Sequence, residues 1–311
     1  MIILKKISCV FWALLLAAGI LFSPWGGGTS YAGPMAEGPG AEAAPVLGGA
    51  EVRLLAGQNK SSMMSVVIRT VSGDVIVVDG GRPADKDHLL EVLAEYGSHV
   101  SLWLITHPHD DHVGALTEIL NSEPCPVQID RIAYSFLPNE MYEAGEHQNR
   151  MGNLTNLQAA LTRAVPSSLV TPLYAGQQFA AGDALVTVMN EPFYTPRATF
   201  NNSSVAYRVD VGGKRILFLG DMGEEAGENL LARAGAEALK ADILQLSHHG
   251  NGYDNAGWAV YTAVSPEICL WPTAEFIWNS SDLGAQALCW MLDGIGVKRH
   301  LNTAFGDQIL R

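Results

Sequence analysis

Thr106-His107-Pro108-His109-Asp110-Asp111-His112 places three imidazoles and two carboxylates within six consecutive residues. Residues two apart on an extended segment point the same way, so His107 and His109 are expected to converge on one metal ion. Asp111 and His112 follow where the chain turns, within reach of a second ion beside the first. Imidazole nitrogen with carboxylate oxygen suits zinc, and also manganese or iron. A polar loop ending in a helix cap would need one carboxylate and no histidine, so capping alone does not account for the cluster.

The flanks place the cluster in a fold. Residues 100–106 form a short apolar, β-prone run that reads as a buried strand, and residues 113–121 carry apolar side chains at helical spacing. The cluster therefore sits at the carboxyl end of a strand, on the loop entering a helix, where open α/β sheets build their sites. Three further runs end in polar residues: Val75-Ile76-Val77-Val78-Asp79-Gly80-Gly81, Arg215-Ile216-Leu217-Phe218-Leu219-Gly220-Asp221, and Ile243-Leu244-Gln245-Leu246-Ser247-His248-His249-Gly250. Each one alone is ordinary turn chemistry.

Taken in this order, the segments resemble the metallo-β-lactamase superfamily, a group of mostly hydrolytic metalloenzymes. Within it, Asn201-Asn202-Ser203-Ser204-Val205, the Gly220-Asp221 strand and His248-His249-Gly250 look like the hydrolase domain of ComEC-type DNA-uptake proteins and their free-standing secreted relatives. The resemblance covers the chain from about Leu47 onward. It implies an α/β fold, the αββα sandwich with two mixed β-sheets and outer helices. It also implies two divalent ions, zinc first, with manganese or iron as alternatives. One ion would take His107, His109 and Asp221. The other would take Asp111, His112, Asp221 and His248, with Asp221 bridging through its two oxygens. A water between the ions would lose a proton near neutral pH and attack the substrate.

The supporting roles follow from the same resemblance. Adjacent histidines at a strand end point apart, so one of His248 and His249 ligates and the other faces substrate; His-x-Gly loops elsewhere in the superfamily favour His248 as the ligand. His249 is then the expected proton donor to the leaving group, beside Asp111 as ligand and Asp110 as an orienting group. Asp79 reads either as the partner of a metal-bound histidine or as a plain Asp-Gly turn. The usual superfamily pattern has a third histidine for the first ion, between the first cluster and Asp221. The one histidine in that interval is His147, which falls too early. Asn202 could contribute an amide oxygen, or water could fill the gap; Asn202 and Ser203 are expected to contact substrate, and the alternative for the Asn pair is a turn.

Lys5 and Lys6 precede an apolar run over residues 7–22, and Ser30-Tyr31-Ala32 offers a small-x-Ala cleavage point. That order reads as a secretory signal peptide over residues 1–32, cleaved after Ala32. The run is short of the roughly 20 residues a spanning helix prefers, which favours release and no lasting membrane association. Residues 33–46, rich in Gly, Ala, Pro and Glu, read as a flexible linker, and residues 47–311 as one hydrolase domain. Cys125, Cys269 and Cys289 remain after the leader, an odd and sparse set that is no disulfide framework. Cys269 lies in an apolar strand and is expected to be a packed thiol.

The chain has 19 Lys and Arg against 32 Asp and Glu, a net charge of −13. Such a surface repels polyanions and argues against stable binding to duplex DNA; bound divalent ions would offset this locally. Expected function is therefore an exported metal-dependent hydrolase acting on a phosphodiester or other phosphoester, on a small molecule or a polymer. The alternatives are hydrolysis of an ester, lactone or amide such as a β-lactam, and a non-catalytic surface-binding module that keeps the fold.

Overall fold

The computed structural model describes residues 46–146 and 148–311. The expected leader with its cleavage point, all but the last residue of the expected linker, and His147 lie outside the described residues. Among the described residues, no helix is long and apolar enough to cross a membrane.

Two seven-stranded sheets form the centre. Across the first, the strands run Gln308–Leu310, Glu51–Leu54, Ser65–Arg69, Val75–Asp79, Leu102–Leu104, Ile132–Tyr134 and Val170–Pro172. Across the second they run Arg299–Asn302, Ile268–Trp271, Ile243–Gln245, Lys214–Phe218, Tyr207–Val211, Ala184–Val188 and Gln178–Ala181. Both sheets are mixed: Val75–Asp79 pairs antiparallel with Ser65–Arg69 and parallel with Leu102–Leu104, and Lys214–Phe218 pairs antiparallel with Tyr207–Val211 and parallel with Ile243–Gln245. Alternation along the strands makes this a sandwich. Val66, Ile68, Ile76 and Val78 of the first sheet share one buried cluster with Val186, Val209, Ile216 and Phe218 of the second. The opposite faces are covered by helices. Val67, Val77 and Trp103 pack under helices Lys86–Glu95, Asp110–Asn121 and Met151–Ala164. Leu217, Leu244 and Cys269 pack under Glu224–Ala234, Trp258–Val264 and Ala285–Gly294. The architecture is the expected αββα sandwich.

One boundary differs from the sequence expectations. Residues 100–106, expected as one strand, divide at Ser101: His99–Val100 pairs with Gln128–Ile129, whereas Leu102–Leu104 joins the first sheet. Residues 139–164 form two helices, Asn139–Ala144 and Met151–Ala164, with Gly145 ending the first. Gly212-Gly213 joins Tyr207–Val211 and Lys214–Phe218 as a hairpin. Both glycines have positive φ, 58° and 78°, the requirement of a two-residue turn that matches strand twist. Cys269 and Cys289 are buried, Cys125 is exposed, and all three are free thiols.

Candidate metal centre

The centre grows from strand ends of both sheets. Strand Leu102–Leu104 runs through Ile105 and Thr106 into the loop that carries His107 and His109. His109 is the extended residue before helix Asp110–Asn121, which puts Asp110 and Asp111 in the first turn, where carboxylates meet the positive end of the helix dipole. From the second sheet, Lys214–Phe218 leads to Asp221, and Ile243–Gln245 leads to His248 and His249.

Asp221 is the hub. Its Oδ2 lies 3.2 Å from His112 Nε2, 3.3 Å from His249 Nε2 and 3.8 Å from His107 Nε2. Asp111 Oδ2 lies 3.1 Å from His249 Nε2, and His107 Nε2 lies 3.1 Å from His109 Nδ1. Two donor sets result, Asp111–His112–Asp221–His249 and His107–His109–Asp221, each with its atoms within 4.8 Å of one another. His109 Nε2, His112 Nε2 and Asp221 Oδ1 are buried without any hydrogen-bond partner. Leaving a buried polar atom unsatisfied costs about 1–3 kcal/mol, and a divalent cation is a partner that imidazole lone pairs and a carboxylate oxygen share. The residues fit such an ion.

Electrostatics agrees with the geometry. Burial pushes the His107 imidazole well below its usual range and His109 down to about 4, so both rings are neutral, the form that ligates metal. Burial would raise the carboxyls of Asp111 and Asp221. Instead the hydrogen bond and charge of His249 hold Asp111 low, and the charges of His112 and His249 hold Asp221 low. Burial works against protonation of His249 too, yet the field of Asp221 and Asp111 lifts it to about 9. Burial opposes protonation of His112 as well, yet Asp221 and Asp79 raise it; a pocket that draws protons onto two imidazoles is one that draws a cation.

The surrounding groups hold these donors still. Asp79 is fully buried, and its backbone adopts φ 58°, a conformation short Asp side chains tolerate. Its Oδ1 accepts from Thr106 N at 2.8 Å, and its Oδ2 accepts from Thr106 Oγ1 at 2.7 Å and from His112 Nδ1 at 2.7 Å. That bond fixes the His112 tautomer and turns Nε2 toward the centre. Gln245 is buried in its strand; its Oε1 accepts from Leu219 N and Gly220 N, and its Nε2 donates to Gly220 O. Ser204 Oγ accepts from Asp221 N at 3.0 Å. Gly220, at φ 61°, has no room for a Cβ, which would meet Ser204 Oγ at 2.8 Å. Arg82 donates to Asp110 Oδ2 at 2.8 Å and to Asp111 Oδ2 at 3.3 Å. Sequence reasoning gave no role to Arg82, Gln245 or Ser204. A polar residue inside the apolar run 243–246 was the available signal for Gln245.

Three expectations need correction. His249, not His248, turns Nε2 into the cluster, and its Nδ1 donates to Pro272 O at 3.0 Å. Both ring nitrogens are thereby engaged, so His249 is not placed to face a leaving group. The reason is backbone: His248 and His249 both have positive φ, 49° and 58°, so extended-strand alternation does not apply there. Asn202 is spent on the backbone, donating to Arg197 O at 2.9 Å and accepting from Gly223 N at 2.9 Å; its neighbour Asn201 lines the cavity instead. Ser203 is turned away, bonded to Phe200 O and Tyr142 OH. Asp110 is held by Arg82 and Arg150. A separate grouping is Cys289, Asp293 and His300, of which Asp293 and His300 share a hydrogen bond. Trp271 Nε1 donates to His300 Nδ1 at 2.8 Å, so Nε2 of the neutral ring carries the hydrogen that faces Asp293 at 3.0 Å. Burial pushes the Cys289 thiol up to about 12.

Comparison with known proteins gives the same family from independent ground. The profile of the Metallo-beta-lactamase superfamily matches residues 63–257. The chain is 29% identical over 162 residues to a hydroxyacylglutathione hydrolase of Hahella chejuensis (strain KCTC 2396), covering 51% of this chain and 47% of that protein. The match thus spans about half the length of the curated relative. Among solved structures, the fold is similar to the metallo-beta-lactamase fold protein YhfI from Bacillus subtilis, with TM-score 0.52 and 10% identity over 84% of this chain and 99% of that one. It is also similar to CmlA, a diiron beta-hydroxylase from Streptomyces venezuelae, with TM-score 0.55 and 13% identity over 84% and 54% of the two chains. At these identities the two structures speak to fold alone.

Proposed function

The chain belongs to the metallo-beta-lactamase superfamily and is a metal-dependent hydrolase with a buried His/Asp centre; on that premise we propose that it cleaves a phosphoester, first of all a phosphodiester, outside the cytoplasm. The observation that carries this reading is charge placement. The chain's net charge is −13, and the cavity of about 370 Å³ over the centre sets two guanidinium groups, Arg82 and Arg150, beside the carboxylates of Asp111, Asp221 and Asp254. The Arg150 side chain is 45% exposed, open to an arriving anion, and a guanidinium matches phosphate oxygens bidentately. The ComEC-like segments around Asn201 and His248 support the same substrate class, and the leader-like residues 1–32 support export.

Two divalent ions, zinc by preference, would be held by His107, His109 and Asp221 on one side and by Asp111, His112, Asp221 and His249 on the other. Ions so held supply Lewis acidity and an acidified water at neutral pH. The protein's own part is orientation. Asp79 fixes His112, Arg82 fixes Asp111, and Gln245 with Ser204 fixes the Gly220–Asp221 turn. Arg150, the more exposed guanidinium, draws a phosphoryl oxygen toward the centre, so the substrate arrives oriented.

A second reading is favoured by the Hahella relative, whose name denotes thioester chemistry: hydrolysis of a carboxylic ester or thioester. One assay separates the two. The purified chain is given bis(4-nitrophenyl) phosphate or 4-nitrophenyl acetate, with zinc or manganese. Phosphodiester cleavage that disappears in Asp221→Ala is the expected result; turnover of the acetate alone would overturn the phosphoester reading. Export is tested by expressing the full chain in a secreting bacterium and sequencing the released protein, with Gly33 expected at its amino end.

A further inference from the structure

Among the described residues, six buried side-chain nitrogen or oxygen atoms lack a hydrogen-bond partner, and four of them belong to one neighbourhood. Three belong to residues of the two donor sets: His109 Nε2, His112 Nε2 and Asp221 Oδ1. The fourth is Asn201 Oδ1, an amide oxygen whose residue lines the same cavity as His109, Asp221 and His248. Native folds rarely leave such atoms unpaired, and four together point to a shared partner. The amide oxygen is the unexplained member, since the two His/Asp donor sets are defined without it.

The orientation of that amide follows from its neighbour. His248 Nδ1 lies 2.9 Å from Asp254 O and 3.1 Å from Asp254 Oδ2. Both are acceptors, so Nδ1 carries a hydrogen. Asn201 Nδ2 lies 3.3 Å from Nε2 of the same ring. With the amide nitrogen turned to His248, Oδ1 is left as the atom in need of a partner. The turn that carries it is seated against the centre: Phe200, the preceding residue, stacks on His109 with ring centroids 5.2 Å apart and planes 10° apart. Thr199–Asn202 is a single helical turn entered through Ala198 at φ 46°, a strained entry for a non-glycine residue.

Resting on the reading of this centre as a two-ion site, we propose that Asn201 Oδ1 is a ligand of the ion held by His107, His109 and Asp221. The two donor sets are unequal, three residues against four, and Asn201 makes them equal. His248 becomes a positioning residue: held by Asp254, it holds the amide nitrogen and turns the oxygen inward. A neutral amide oxygen is a harder donor than imidazole, so this position accepts manganese more readily than an all-histidine position would.

The test is a chelator-competition titration of the full chain with zinc, and separately with manganese, for the natural sequence, Asn201→Ala and Asn201→Asp. Asn201→Ala is expected to weaken one of the two equivalents at least tenfold and leave the other unchanged. Asn201→Asp, close in shape but charged, is expected to bind that equivalent as tightly as the natural sequence or more tightly. If Asn201→Ala fails to fold, Asn201→Asp decides, and a weakened equivalent there overturns the proposal; where both variants fold, unchanged affinity of Asn201→Ala for both metals overturns it. Absence of metal binding by the natural sequence would overturn the two-ion reading and this inference with it, a result distinct from normal binding that ignores Asn201.

Discussion

At the scale of single residues, the centre is defined as much by what holds the donors as by the donors. Asp79 touches no other donor than His112, yet it is buried completely and spends both oxygens on Thr106 and His112. Asp79→Asn keeps the shape but replaces one acceptor oxygen by a donor nitrogen, which opposes the His112 Nδ1 hydrogen or turns the ring. Metal affinity is expected to fall roughly 10–100-fold, the usual scale for losing such a partner, with hydrolysis falling alongside and recovering as zinc is raised. A chelator titration checks it, and unchanged affinity would reduce Asp79 to turn chemistry. The histidine–carboxylate cluster at 107–112 was legible because its chemistry is packed into consecutive residues. The choices between His248 and His249, and between Asn201 and Asn202, were not. Left-handed backbone at 248–249 and a single helical turn at 199–202 replace the extended geometry assumed there, and neither leaves a periodic trace in so short a segment.

At the scale of elements, apolar runs announced the strands because both faces of each sheet are covered. Their ends were harder to read, being set by pairing partners remote in sequence, as where Ser101 divides residues 99–104 between two sheets. Helix Asp110–Asn121 shows how tightly an element can be placed. Gly114 sits inside it, and a Cβ there would meet Pro83 Cδ at 2.3 Å and Pro83 N at 2.6 Å. In an open helix, Gly→Ala stabilises by about 1 kcal/mol. Here the sign reverses: Gly114→Ala should destabilise by about 1–3 kcal/mol and, by moving the turn that carries Asp111 and His112, weaken metal binding too. Urea denaturation reads the first effect and a zinc titration the second. A more stable variant would show that the Pro83 turn gives way easily.

Another junction of elements carries a pH signature. Glu51, on the strand Glu51–Leu54, accepts from Tyr96 at the end of helix Lys86–Glu95, from Arg53, and from Arg311 at the carboxyl terminus. Burial would raise its carboxyl, but those hydrogen bonds outweigh it and bring it from the ordinary 4.5 down to about 2. A depressed folded-state value means the carboxylate contributes stability above pH 4.5, and that contribution is lost as pH falls toward 2. Glu51→Gln should therefore melt below the natural sequence at pH 6, and the gap should close between pH 4.5 and 2.5. A gap independent of pH would mean that the glutamate acts through packing alone.

At the scale of the whole molecule, the centre lies where the two sheets present their strand ends to each other. His107, His109, Asp111 and His112 come from the first sheet's side, and Asp221 and His249 from the second's. The sandwich interior between them is apolar, so it resists separation without depending on metal, and the protein should fold without it. Ions bound across the seam would nonetheless favour the folded state by mass action, because the unfolded chain does not assemble donors from residues 107 and 249 at one point. One site at a hundredfold excess over its dissociation constant adds about 2.7 kcal/mol. For a domain of this size that corresponds to a rise in Tm of roughly 5–10 °C. Chelation with EDTA should lower Tm by that order, and zinc should restore it in a concentration-dependent way. Asp221→Ala, which removes the residue common to both donor sets, should melt at nearly one temperature with and without zinc. A Tm in the natural sequence that ignores both EDTA and zinc would mean that the buried histidines and carboxylates satisfy one another, and that the seam holds no ion.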